Sequence, residues 1–157
     1  PGKNYTAAEV VRIGKDLSQA DLENGGIMFK ATLCFACHRV GGEGGSAGPD
    51  LSALGGRFTL ADLAEALLEP NKVVSDQYQF SVVTKKDGSS AWGRVVEEKG
   101  GVITLVSNAY DFSQTEQLRR AEVESIKPSE VSPMPAGLIN TLNEDELRDL
   151  LAFLVRK

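Results

Sequence analysis

Five consecutive residues, Cys34-Phe35-Ala36-Cys37-His38, constrain this chain more than any other stretch. They take up both cysteines and the only histidine among its 157 residues. Two thiols three positions apart lie on the same side of a helical turn, and an imidazole follows at once. This is the spacing that ties a c-type haem to a polypeptide. Each thiol adds across one porphyrin vinyl group, which leaves His38 under the iron as its proximal ligand. Three other chemistries use the same residue types. A zinc site needs about four ligands, and only a carboxylate is left to complete one. A thioredoxin-like dithiol wants a βαβ context that the flanks lack. A plain disulfide leaves His38 without a role.

The length suits one domain, or one domain carrying a sizeable insertion, with enough chain to bury a core. The formal charge of −5 and the lack of any basic stretch exclude nucleic acid as a partner. That charge is compatible with a basic or neutral protein partner without selecting one. No run of about 18 apolar residues is present to span a membrane. The chain opens on Pro1 with no visible signal peptide, as expected of a processed protein or of a domain from a longer one.

Helical spacing dominates both ends. Thr6-Ala7-Ala8-Glu9 has the form of a capping box, and Val10, Ile13 and Leu17 follow on one face. Ser18 with Asp21 predicts a second start, for a helix bearing Leu22, Gly25, Gly26 and Phe29. Glycines inside a helix cost about 1 kcal/mol each relative to alanine, so another backbone is expected close by, unless the helix simply breaks there. Gly41 to Pro49 is a glycine-rich loop without the features of a phosphate cradle, and is expected to cross a porphyrin edge. Thr59 and Asp62 cap a helix with Leu60, Leu63, Ala64, Leu67 and Leu68, stopped by Pro70. Asn143 and Glu146 open the last helix, whose stripe is Leu147, Leu150, Leu151 and Leu154 with Phe153 beside it.

Between these ends the period changes to two. Tyr78, Phe80, Val82 and Thr84 alternate with neighbours of the other face, and Asp87-Gly88 is a hairpin signal. Trp92, Arg94 and Val96 mark a second strand, and Gly100-Gly101 turns into Val102 to Val106. Weaker strands near 115–119 and 122–126 complete an expected antiparallel meander. Residues 78–126 thus read as an all-β insertion, with Trp92 in its core rather than against a cofactor.

A haem iron in an electron-transfer protein usually has two axial protein ligands, and His/Met is a common pair. With His38 spent, the thioethers of Met28 and Met134 remain. Met28 lies on the helix that leads into the attachment motif, so it would have to double back to the distal face. Met134 sits in Ser132-Pro133-Met134-Pro135, a loop held by prolines, and is the favoured ligand over a role as core filler.

The motifs together resemble a class I, mitochondrial-type cytochrome c: Gly25 and Phe29, then Cys34 to His38, then Gly48-Pro49-Asp50-Leu51, the helix near 60–69, Met134-Pro135 and an aromatic-bearing final helix. The resemblance is closer still to the haem domains of planctomycete- and verrucomicrobial-type multidomain proteins, over about residues 20–157. It implies a mainly α cytochrome c fold of four to five helices around one haem c, with an inserted small antiparallel β-sheet, α+β overall. Residues 1–77 and 127–157 would form the haem domain and 78–126 the insertion. First and last helices would cross at Gly25 or Gly26 against Leu150 or Phe153. The Pro49 carbonyl would accept the His38 Nδ1–H. The family also implies an extracytoplasmic location and a redox partner protein or fused dehydrogenase module.

Arg57, after Gly55-Gly56, is the candidate donor to a haem propionate, with a solvated surface arginine as the other reading. One-electron transfer is the leading function. A haem sensor or peroxidase-like enzyme with a displaceable sixth ligand is the alternative, and an interaction module built on the β insertion is a third.

Overall fold

Side chains that close on their own backbone set the helix starts in this protein. The computed structural model describes residues 2–156. Thr6 Oγ1 accepts from the Glu9 N–H at 3.2 Å while the Glu9 carboxylate accepts from the Thr6 N–H at 2.8 Å, opening α1 (Ala7–Gly14). The same reciprocal pair at Thr59 and Asp62 opens α4 (Leu60–Leu68), and Asn143 with Glu146 opens α5 (Glu144–Val155). In each box two backbone groups that the helix leaves unpaired are satisfied. The second helix departs from expectation. Asp21, not Ser18, caps α2 (Leu22–Ala31), its carboxylate accepting from the Asn24 N–H at 3.0 Å. Ser18 instead gives its N–H and hydroxyl to Asp16, an isolated turn before the helix.

The chain divides into two compact units, one of Pro1–Val73 with Met134–Lys157 and one of Val74–Pro133. In the first, α2 is unbroken through Gly25 and Gly26 and crosses α5. A Cβ on Gly25 would lie 2.2 Å from the Asp149 carbonyl oxygen and 2.7 Å from Phe153 Cβ. One on Gly26 would meet only the Phe153 ring edge, at 3.2 Å. Gly25 is therefore the residue the crossing requires, and its partners are Asp149 and Phe153 rather than Leu150. Asp149 closes the crossing with a polar clamp: its buried carboxylate accepts from the Asp21 N–H at 2.8 Å and the Asn24 amide at 2.7 Å. Phe29 and Phe153 rings meet at 5.3 Å. Around them Val10, Ile13, Leu63, Ala64, Leu67, Ile139, Leu147, Leu150, Leu151 and Leu154 form the core of this unit. The single turn α3 (Cys34–Cys37) and a short ribbon, β1 (Arg39–Val40) with β2 (Glu43–Gly44), follow α2.

The second unit is a five-stranded antiparallel sheet of β3 (Ser81–Lys85), β4 (Ser90–Lys99), β5 (Val102–Val106), β6 (Thr115–Arg119) and β7 (Val123–Pro128). The order β6-β5-β4-β3-β7 corrects the expected meander. Strands β3 to β6 do run as a meander, but β7 returns to the far side and pairs with β3, Val83 opposite Ile126. Pro128, which has no N–H for a ladder, is accommodated because β7 is an edge strand. Positive φ at Gly88, Gly100 and Gly101 makes the tight turns. Strand β3 begins at Ser81, so Tyr78 and Phe80 stand before the ladder rather than in it.

Val83, Ile103, Leu105, Leu118 and Val123 fill the core of this unit. Trp92, expected there, remains 38% exposed instead. Its ring packs on Phe80 at 4.6 Å between centroids, and its indole N–H donates to the Ser129 hydroxyl at 2.9 Å. Period-two alternation places Trp92 on the face opposite the core, together with Arg94, and is interrupted beyond it by a register shift between Val95 and Glu97.

Candidate haem-attachment site

The attachment residues are presented by a change in backbone direction at the end of α2. Thr32 caps the helix, and Leu33 takes left-handed angles, φ 67° and ψ 8°, where a branched side chain is disfavoured. Residues 34–37 then make one helical turn, closed by the His38 N–H donating to the Cys34 carbonyl at 2.8 Å. The turn sets Cys34 and Cys37 at i and i+3, on a common side, with His38 extended beyond them. Neither cysteine is in a disulfide. Burial pushes both thiols above their ordinary range. Among the described residues no three His, Cys, Asp or Glu side chains converge on a metal position.

His38 is oriented by the loop that follows it. Its Nδ1 lies 2.8 Å from the Pro49 carbonyl oxygen. A carbonyl only accepts, so the proton sits on Nδ1 and the Nε2 lone pair is left for a metal. Burial holds the imidazole below its ordinary value of 6.5, outweighing the opposite pull of the Pro49 bond, and this favours the neutral, ligating form. The partner foreseen for Pro49 from the family resemblance is thus the one observed. Such a partner fixes the ring and raises the basicity of the ligating nitrogen.

The glycines of residues 41–48 let the loop close on the motif's own backbone. Gly41 and Gly42 have positive φ and turn the β1–β2 ribbon. The loop then lies against the motif's own backbone, Gly45 N–H donating to the Phe35 carbonyl at 2.9 Å and Gly48 N–H to the Cys37 carbonyl at 2.8 Å. A Cβ on Gly45 would stand 1.9 Å from the Ala36 oxygen. A Cβ on Gly48 would stand 2.6 Å from His38 Cε1. Asp50 secures the far end of the loop by accepting from the Ser52 hydroxyl at 2.6 Å, while Ser52 Oγ accepts from the Gly41 N–H at 2.9 Å.

Gly48→Ala is therefore expected to push the imidazole off the Pro49 carbonyl and to cost about 1–3 kcal/mol. Gly56→Ala, with open space around it, should stay within about 0.5 kcal/mol of the wild type. Denaturant midpoints of the two variants check the contrast.

Of the remaining sequence-predicted residues, Met134 lies in a non-helical loop, half-buried against the core of the first unit. Met28 packs against the same core from within α2. Arg57 is exposed at the end of a short 3-10 turn, Leu54–Gly56. Thr32 and Gly48 carry contacts to the motif that the sequence reading did not assign. Gly48 stood inside the Gly-Pro-Asp-Leu signature, but nothing in the pattern distinguishes Thr32 from an ordinary helix end.

The residues present suit a haem: two thiols on one turn, an imidazole with its outer nitrogen free of the proton, and an apolar cluster that holds Cys34 together with Leu54 and Leu67. No curated protein matches this chain. Residues 22–92 match the family model for cytochrome c, a span holding α2, the attachment motif, the glycine loop and α4. Over that stretch the chain is similar to a cytochrome c domain; the cofactor of such domains is a covalently bound haem c, and the two cysteines here allow one attachment.

Proposed function

We propose that this protein carries single electrons through one haem bonded to Cys34 and Cys37, with His38 and Met134 as its axial ligands. The hydrogen bond between His38 Nδ1 and the Pro49 carbonyl carries the reading, because it commits the ring to the tautomer that ligates through Nε2. The bound haem supplies a one-electron couple between ferrous and ferric iron. The chain's part is to attach and orient it. Cys34 and Cys37 would hold it covalently, His38, oriented by Pro49, would ligate its iron, and Met134, from a loop that Pro133 and Pro135 restrict, would supply the second ligand. Arg57, at the end of the Leu54–Gly56 turn, would be the donor to a propionate.

With both axial positions held by protein, substrate has no place at the iron, and the partner is another redox protein or a dehydrogenase module joined to this chain. Cytochrome c domains typically work outside the cytoplasm, and no helix among the described residues is long and apolar enough to cross a membrane. Residues 78–126 are an insertion in the haem domain under this reading.

A potentiometric titration followed by absorbance tests it. A reversible one-electron curve is expected. A multi-electron or irreversible curve would remove the electron-carrier assignment.

A further inference from the structure

We propose that Thr32 is a positioning residue for haem attachment at Cys34, holding that sulfur in the rotamer from which it meets its vinyl group. The proposal rests on the haem reading above. Thr32 is 3% exposed, one of few buried polar residues described. Its Oγ1 lies 2.7 Å from the Met28 carbonyl oxygen and 3.3 Å from Cys34 Sγ. The carbonyl only accepts, so the hydroxyl proton goes to Met28, and the second contact is the Cys34 S–H donating to Thr32 Oγ1.

This pairing is not what a continuous helix supplies. Side chains at i and i+2 do not face one another on a helix. Leu33, in its left-handed conformation between them, turns Cys34 back toward Thr32. A disfavoured backbone state at a half-exposed leucine is thus the local condition for the contact.

Attachment adds the thiol across a vinyl group. A carbon–sulfur bond forms at the vinyl carbon next to the ring, the S–H bond breaks, and the terminal carbon gains one proton. No group leaves, and neither partner is oxidised or reduced overall. What the protein must provide is aim, because a free thiol distributes over three rotamers about its Cα–Cβ bond. The Thr32 oxygen selects one of them at Cys34.

The test uses the full chain produced together with a haem-attachment apparatus. Thr32→Val keeps the shape and removes the hydroxyl; Thr32→Ser keeps the hydroxyl. After denaturation, iodoacetamide labelling and peptide mass mapping report which cysteine carries haem, and the alkaline pyridine spectrum reports a retained vinyl group. Thr32→Val is expected to raise, by several-fold or more, the share of chains bonded through Cys37 alone with Cys34 open to alkylation. Thr32→Ser should match the wild type. Wild-type proportions in Thr32→Val, or equal loss at both cysteines, would overturn the proposal, the second by assigning Thr32 to general folding. A wild-type chain that holds no haem mass at all would overturn the haem reading itself, a separate result.

Discussion

Met134→Ala is expected to remove the sixth ligand of the iron, lower the reduction potential and open the haem to carbon monoxide or cyanide. A thioether stabilises ferrous more than ferric iron and adds a weak charge-transfer band at the red end of the ferric spectrum, so that band should vanish as well. Met28→Ala removes the same side chain from α2, where it is half-buried against the core. It should alter packing alone, costing about 2–5 kcal/mol at most. The two substitutions delete the same atoms, so any spectral difference between them comes from place and not from chemistry. An unchanged spectrum in Met134→Ala with an altered one in Met28→Ala would reverse the assignment. No change in either would put water or a lysine at the sixth position and favour a sensor or enzyme.

Gly25→Leu is expected to force α2 and α5 apart. The obstacle to its Cβ is the backbone oxygen of Asp149, 2.2 Å away, which no rotamer change can relieve. Separation would also strain the bonds by which the Asp149 carboxylate holds Asp21 and Asn24. A loss of about 3 kcal/mol or more follows, the upper range for overpacking. Gly26→Ala meets only the edge of the Phe153 ring, at 3.2 Å, and gains about 1 kcal/mol of helix propensity. It should fall within about 1 kcal/mol of the wild type. Urea midpoints for the pair measure this, and a wild-type midpoint for Gly25→Leu would mean that the helices do not cross there.

These expectations also mark what the sequence could and could not reveal. The attachment motif was legible because covalent chemistry dictates both residue type and spacing at Cys34, Cys37 and His38. Helix starts at Thr6, Thr59 and Asn143 were legible because a capping box is local, written within four residues. Ser18 misled because Asp21, three positions on, is itself a good cap, and the pattern does not rank the two. The path of β7 back to β3 is a long-range pairing that alternation cannot specify, since each strand reads the same whichever neighbour it takes. Trp92 falls outside its core for a related reason: the alternation places it with Arg94 but does not say which face is buried. The choice of Gly25 over Gly26 depends on a helix some 120 residues away in sequence, through Asp149 and Phe153. Thr32 was invisible because its contact with Cys34 requires the left-handed turn at Leu33, a conformation that leucine does not advertise.

The proposed ligation closes the iron on both sides, with His38 on one and Met134 on the other. Absorbance of the dithionite-reduced protein before and after addition of carbon monoxide at neutral pH tests it most directly. Superimposable spectra are expected, because a held thioether leaves no position for the gas. A prompt shift to a carbon monoxide adduct in the wild-type protein would contradict it.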